Sequence, residues 1–259
     1  MGEYALSERD GHLFVITIIR PEVMNALHPM ANAELSELVD EFADDAELWV
    51  AIITGAGDRA FSAGNDLKFQ AGAGGERPQH PETGFAGLTN RWDLNKPVIA
   101  AVNGVAMGGG FEIALACDLI IASENARFAL PEPKVGLAAL AGGIHRLPRQ
   151  IGMKRAMGMM LTGRHVSAQE GRELGFVNDV VPQEQLMDRA REWASMILAC
   201  SPMSIRATKE AAYQGLDHAS LREAYSGRYP AVKAMIDSDD FVEGPLAFAG
   251  KRAPQWKGR

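Results

Sequence analysis

The sequence predicts an α/β fold in which strand–strand–helix units repeat and are followed by helices. Two observations carry this prediction. Short apolar, β-branched runs bounded by glycine or proline recur through the first half of the chain, as buried strands require. From about Met153 onward, apolar residues recur at the spacing of amphipathic helices. We find no linker that clearly divides the 259 residues, and no internal repeat that aligns.

The elements are predicted in order from local pattern. Short apolar runs bounded by turn-forming or polar residues predict strands over residues 12–20, 49–54, 97–102, 118–123 and 126–130. Apolar positions three and four apart, and the run that follows Gly108–Gly110, predict helices over residues 30–43, 111–117, 186–198, 205–216 and 221–236. The stretch 70–87 is polar and rich in glycine and proline, which is typical of a mobile surface loop.

Composition excludes several classes of protein. Hydrophobic residues make up 47% of the chain and charged residues 23%, which is ordinary for a globular protein and excludes disorder. The two cysteines, Cys117 and Cys200, cannot form a disulfide framework and fit a reducing compartment. The net charge of −7 argues against a nucleic-acid partner. No long apolar run predicts a membrane span, and residues 1–10 do not resemble a secretion signal, so we expect a cytoplasmic protein.

Some patterns in the sequence resemble sites but favour plainer interpretations. Residues 55–60 satisfy the G-x-G-x-x-A pattern of a dinucleotide site, but Phe61–Gly64 follows them and is poor helix material, so we interpret the pattern as a turn. Ser62 lies in an incomplete nucleophile-elbow pattern, and nothing in the sequence identifies a His as its base. No pair of His or Cys has the spacing of zinc ligands, so no metal is expected.

Two turns of small residues could supply backbone donors to a ligand oxygen. Gly108–Gly110 lies between a predicted strand and a predicted helix, where a ligand can approach the amides and the helix dipole favours negative charge. Phe61–Leu67 follows a buried strand and could supply a second amide. Two such amides would form an oxyanion hole.

A pair of carboxylates lies close to these turns in the sequence. Glu112 falls within an apolar helical run, and Glu132 falls between two prolines after a predicted strand. If both reach one pocket, at least one pKa rises, and the pair supplies an acid and a base. From spacing alone the structural alternative stays open, in which Glu112 caps its own helix and Glu132 is exposed in a turn.

Several motifs together are similar to those of one known family. They lie at residues 61–68, 103–118, 126–132, 142–149 and 161–164. With them, residues from about 11 to the C-terminus resemble the enoyl-CoA hydratase (crotonase) superfamily. Residues 84–89, 243–249 and 256–259 most resemble its carnitinyl-CoA dehydratase branch.

The resemblance implies a crotonase-type spiral of ββα repeats with a C-terminal helical trimerisation region. We expect a core with the active site over residues 1–195 and an oligomerisation region over 196–259, in a homotrimer or a hexamer of two trimers. The implied reaction is a hydro-lyase reaction on an acyl-CoA thioester, without a separate cofactor because coenzyme A is part of the substrate. No nucleic acid or membrane partner is implied.

The resemblance also assigns roles to individual residues. The amides of Asn65 and Gly109 would hold the thioester oxygen. Glu112 would act mainly on water at Cβ, and Glu132 mainly on the proton at Cα. The residues implied to contact substrate are Ala63, Asp66, Leu67, Lys68, Gly108, Leu140 and Lys251, the last on a neighbouring subunit's coenzyme A.

One motif departs from the family pattern. Leu140 stands where many hydratases have a glycine whose backbone helps to hold the catalytic water. The leucine keeps the N–H but narrows the space.

Other functions remain open at this stage. An enoyl-CoA isomerase can work with one carboxylate, and carnitinyl-CoA dehydration is a specific form of the leading reaction. An RNA-binding protein on a hydratase scaffold is disfavoured by the charge and by the absence of a helix rich in Lys and Arg. The interpretation as a nicotinamide-dependent dehydrogenase rests only on residues 55–60.

The sequence does not specify the acyl group of the substrate, because the loop 70–91 and the late helices would select it.

Overall fold

The structure, a computed structural model, describes residues 2–74 and 80–259. The strands are β1 (Ala5–Asp10), β2 (Leu13–Ile18), β3 (Val50–Gly55), β4 (Ala60–Ser62), β5 (Val98–Val102), β6 (Val105–Met107), β7 (Leu119–Ser123), β8 (Arg127–Ala129), β9 (Val166–Ser167) and β10 (Asp179–Val181). The helices are α1 (Pro29–Asp44), α2 (Leu67–Gly72), α3 (Gly109–Ala116), α4 (Gly143–Ile151), α5 (Met153–Met160), α6 (Ala168–Leu174), α7 (Leu186–Leu198), α8 (Pro202–Gly215), α9 (Leu221–Tyr225), α10 (Pro230–Ile236) and α11 (Asp239–Ala249).

The element order confirms the predicted strand–strand–helix repeat. Pairs of consecutive strands lead in turn to α1, α2, α3 and α4, and helices dominate after that. The predicted strand positions are all occupied by strands, with bounds shifted by a few residues. Short strands that were not predicted, such as β4 and β6, complete the units.

The two strands of a unit belong to different sheets. The larger sheet has the order β1-β2-β3-β5-β7-β10, and its strands are parallel from β2 onward. The smaller sheet has the order β4-β6-β8-β9. Because β4 and β6 are parallel neighbours in it, their carboxyl ends lie side by side, and so do the turns that follow them.

Both faces of the larger sheet are covered, as a parallel sheet requires. One face packs on a core that contains Phe14, Phe61, Phe111 and Phe128, all fully buried. The other face packs on α7 through a second cluster. This core holds the first strands of the units rigid beneath the turns of the smaller sheet.

Two predicted elements were wrong in detail. The single helix expected over 221–236 is interrupted between α9 and α10, because Pro230 occupies the first turn of α10 and its ring cannot continue a preceding helix. The loop expected over 70–87 begins with the last residues of α2 and ends in a short 3-10 turn, Phe85–Gly87, that is buried against α1. Residues 75–79 of that loop lie outside the described residues.

The expected division at 195/196 falls within α7. The C-terminal segment folds back on this helix, since the Trp256 indole donates to the Ala199 carbonyl at 2.9 Å. The two-part division stays a prediction. In the part of the chain that is described, no helix has the length and apolar character needed to cross a membrane.

Candidate active site

A cavity of about 1530 Å³ opens at the ends of β4 and β6. Its wall brings together residues from five segments that are distant in sequence. Of the residues predicted for the site, it is lined by Ala63, Asn65, Leu67, Gly108, Gly109, Glu112, Glu132 and Leu140. The two turns and the two glutamates that the sequence singled out therefore face one space.

The Asn65 amide is directed away from its own scaffold. A parallel bridge to Leu27 uses the Gly64 carbonyl, at 2.8 Å, and the Asp66 amide, at 3.0 Å. Because successive peptide groups in an extended chain alternate in direction, the N–H of Asn65 points to the opposite side. No acceptor within the described residues bonds to it.

The Gly109 amide is the first donor of α3 and lies against the Asn65 turn. The first N–H groups of a helix have no partner inside the helix, and that of Gly109 has no other acceptor in the described chain. Gly64 contacts it so closely that a Cβ there would lie 2.7 Å from the Gly109 nitrogen. The backbone contact at Gly64 thus sets the spacing of the two free amides.

The Glu112 carboxylate is buried on α3 and held from the opposite wall. Its Oε1 accepts a hydrogen bond from the Gly143 amide, at 2.8 Å, at the start of α4. Burial is the main cause that raises its pKa to about 7, against the opposing effect of the Gly143 hydrogen bond, and the charge of Glu132 raises it further. Near neutral pH, Glu112 therefore exists in both the acid and the base form.

The Glu132 carboxylate lies over the glycine turn without a partner. Both of its carboxylate oxygens are buried and bond to no group among the described residues. A Cβ on Gly108 would lie 3.2 Å from its Oε1, which locates the carboxylate beside Gly108. Burial raises its pKa. The alternative of an exposed Glu132 in a turn is wrong.

The arrangement joins two kinds of chemistry in one cavity. The amides of Asn65 and Gly109 can accept the oxygen of a polarised carbonyl, where negative charge develops during enolisation. Two carboxyl groups whose pKa values are raised by burial can act as acid and base toward one substrate. A carbonyl compound with acidic α-protons is the substrate that uses both.

Three residues predicted to contact substrate lie apart from the cavity wall. Asp66 accepts from the Phe69 amide as the N-cap of α2 and pairs with Arg20 at 3.1 Å, so it supports the Asn65 turn. Lys68 is exposed on α2, and Lys251 is exposed after α11. Substrate contact by these residues stays a prediction.

Leu140 lines the cavity wall, but its amide is already engaged. The Leu140 N–H donates to the Ala138 carbonyl at 2.8 Å, and the side chain is 78% exposed. The backbone amides that act on the Glu112 carboxylate are those of Gly143 and Ala141 instead. The role predicted for Leu140 stays a prediction.

Sequence reasoning missed part of the cavity wall. Arg146 on α4, Trp92 and Thr89 from the preceding loop, and Tyr213 on α8 all line it. Arg146 was visible only as part of a motif, since nothing local distinguishes it from the nearby Arg149. Thr89 was visible only within the motif of residues 84–89, and Tyr213 only as a position in the helix predicted over 205–216.

Comparison with known proteins gives one consistent result. The model of the enoyl-CoA hydratase/isomerase family matches residues 8–259. The carnitinyl-CoA dehydratase of Escherichia coli is 46% identical over 265 residues, with 100% of both chains covered. That of Proteus mirabilis is 47% identical over 255 residues, with 96% of both covered. The crystal structure of an enoyl-CoA hydratase from Mycobacterium marinum superposes with a TM-score of 0.92 at 38% identity, covering 100% of both chains.

Proposed function

Because the chain belongs to the enoyl-CoA hydratase/isomerase family, we propose that it is a hydro-lyase that adds or removes water across the 2,3-double bond of an enoyl-CoA thioester. The observation that carries the proposal is the meeting of two unpaired amides and two buried carboxyl groups in one cavity. Coenzyme A enters as part of the substrate, and we propose no further cofactor.

The thioester carbonyl oxygen lies between the amides of Asn65 and Gly109 in this proposal. As water attacks Cβ, the double bond shifts and the oxygen gains negative charge, which the two N–H groups stabilise. One donor of this kind is worth about 3 kcal/mol in the transition state. Because the amides are fixed by the Gly64 contact, they need no reorganisation when the charge appears.

The two glutamates divide the proton transfers. Glu112, held by the Gly143 amide, takes a proton from the attacking water as its oxygen bonds to Cβ. Glu132, beside Gly108, gives a proton to Cα, and dehydration runs the same steps in reverse. The raised pKa values suit this division, since each carboxyl group must change its protonation state once per turnover.

We propose that the acyl group resembles that of the carnitinyl-CoA relatives rather than a long alkyl chain. Identity of 46–47% over almost the whole chain supports this. A panel of thioesters that includes carnitinyl-CoA and crotonyl-CoA tests it. Faster turnover of a long-chain enoyl-CoA than of either would refute the acyl assignment.

Double-bond migration is the alternative that the panel must also address. An isomerase needs one carboxylate, so Glu112→Gln would then spare migration while Glu132→Gln abolished it. Hydration lost in both variants supports the hydro-lyase. Migration retained in Glu112→Gln would favour the isomerase instead.

We propose a trimer or a hexamer built on the C-terminal helices. Leu221, Tyr225 and Phe248 are each more than 85% exposed in the single chain. A set of large apolar side chains of this kind is rarely left in water. Lys251 follows α11, close to this surface in sequence, and would contact a phosphate of coenzyme A in the neighbouring subunit.

The free thiols of Cys117 and Cys200 support a cytoplasmic location.

A further inference from the structure

We propose that Arg146 is a positioning residue whose guanidinium joins the loop of residues 84–92 to α4 and places a positive charge beside the backbone clamp on Glu112. This inference rests on the proposed function, because it concerns how that site is tuned. It adds a residue that touches no reacting atom but acts through one that does.

The first support is how the Arg146 side chain is anchored. Its Nη2 donates to the Thr89 carbonyl at 2.9 Å. The guanidinium lies over the Trp92 ring, with Cζ 5.2 Å from the ring centroid, at a distance where a cation is attracted to an indole face. These two contacts tie the Arg146 side chain to a loop that lies about 55 residues earlier in the sequence. An exposed arginine does not need contacts of this kind.

The second support is where the other end of the guanidinium lies. Nη1 is buried and has no hydrogen-bond partner among the described residues. It lies against Gly142, whose φ of +104° and lack of a side chain leave room for it. The next residue, Gly143, donates the amide that holds Glu112. The unpaired positive group is thus adjacent to the clamp on the carboxylate.

The charges around Glu112 show why a cation is needed there. Burial and the carboxylate of Glu132 both favour the protonated form of Glu112. The amides of Gly143 and Ala141 and the charge of Arg146 oppose them by lowering its pKa. Arg146 supplies a positive charge among the leading influences on Glu112, and arginine keeps its charge even when it is buried.

The experiment measures the titration of Glu112 directly. Protein labelled with ¹³C at the glutamate carboxyl carbon is titrated by NMR, and the Glu112 signal is assigned by its loss in Glu112→Gln. Arg146→Met should move the Glu112 titration upward, because loss of the positive charge favours the protonated carboxyl group. Arg146→Lys should stay near the parent. Arg155→Met removes an exposed arginine of α5 outside the cavity wall and should change nothing.

Activity gives the second readout. The acid limb of the kcat profile should move with the Glu112 titration in Arg146→Met and return in Arg146→Lys. A Glu112 that titrates as in the parent when Arg146 is methionine overturns the proposal, as does an Arg146→Lys protein that behaves like Arg146→Met. If Arg146→Met does not fold, Arg146→Gln, which is polar but uncharged, gives the same comparison with Arg146→Lys.

The titration separates this proposal from the proposed function. A Glu112→Gln enzyme with normal hydration would remove Glu112 from the reaction. The ¹³C titration would still decide whether Arg146 controls its protonation.

Discussion

Gly64→Ala tests whether the contact between the two turns sets the oxyanion hole. A Cβ at residue 64 would lie 2.7 Å from the Gly109 nitrogen and 2.7 Å from the Met107 carbonyl oxygen. That is about 0.7 Å inside ordinary van der Waals contact, and both atoms belong to the backbone. The turn of Asn65 must therefore move away from the start of α3, and the two amides must separate.

The expected loss follows from the geometry. An oxyanion donor acts at 2.7–3.1 Å, and removing one costs about 10²–10³ in kcat. A displacement of nearly 1 Å is enough to cost about 10². We therefore expect kcat of Gly64→Ala to fall about 100-fold in steady-state hydration of crotonyl-CoA, followed by the loss of enoyl-thioester absorbance.

Gly152→Ala is the matched control. Gly152 has a φ of +82°, close to the +85° of Gly64, but nothing lies within 4 Å of its Cβ position. In both variants an alanine occupies a positive φ that glycine tolerates better, at a cost of about 1–3 kcal/mol of unfolding free energy. Gly64→Ala adds the cost of the clash, and urea titration measures the loss in each variant. The reasoning is refuted if Gly64→Ala folds and turns over within threefold of Gly152→Ala.

Further predictions concern the glutamates, the basic tail and assembly. Glu132→Gln should lower kcat by about 10² or more while the affinity for coenzyme A stays unchanged, because general acid–base catalysis is lost. Glu112 has a folded pKa of about 7, above the ordinary 4.5, so the parent loses unfolding free energy as pH rises through this window. Glu112→Gln should lack this loss, which amounts to about 3 kcal/mol. Lys251→Ala should raise KM several-fold and spare kcat, since an exposed ion pair contributes little. Dilution below the dissociation constant of the oligomer should abolish activity. Light scattering should show dissociation into monomers over the same range of concentration.

Each of these predictions has an outcome that contradicts it. Near-normal hydration by Glu132→Gln would remove it from proton transfer. An equal fall in stability from pH 5 to pH 8 in Glu112→Gln and the parent would contradict the raised pKa. A KM of Lys251→Ala that matches the parent at low and high ionic strength would exclude Lys251 from the substrate site. A fully active monomer would contradict both the proposed assembly and the proposed contact of Lys251 with coenzyme A in a neighbouring subunit.

The central strands of the larger sheet, β2, β3, β5 and β7, were predictable because their own apolar runs indicate buried strands, whereas β1 and β10 at its edges were not predicted. Residues 49–54 and 97–102 are continuous apolar runs, and β3 and β5 occupy them. β4 and β6 have three residues each and ordinary composition, so only their partners define them. The glutamates and the glycine turns were found by residue type and motif, although their meeting in one cavity depends on β4–β6 pairing.

Arg146 shows the limit of sequence reasoning at this site. Its partners Thr89 and Trp92 lie more than 50 positions away, and no local pattern marks the three as a set. The break between α9 and α10 had a visible cause in Pro230, but the apolar periodicity on both sides of it obscured the interruption.

Folding must close a long loop before the two oxyanion amides can meet. The pairing of Ser62 with Ala106 joins chain segments about 45 positions apart, and a parallel pair cannot form through a tight turn. The entropy of that closure is lost before the strand contacts repay it. A chain emerging during synthesis therefore carries the Asn65 turn without its counterpart, and catalytic competence arises only when β5, β6 and the start of α3 have docked.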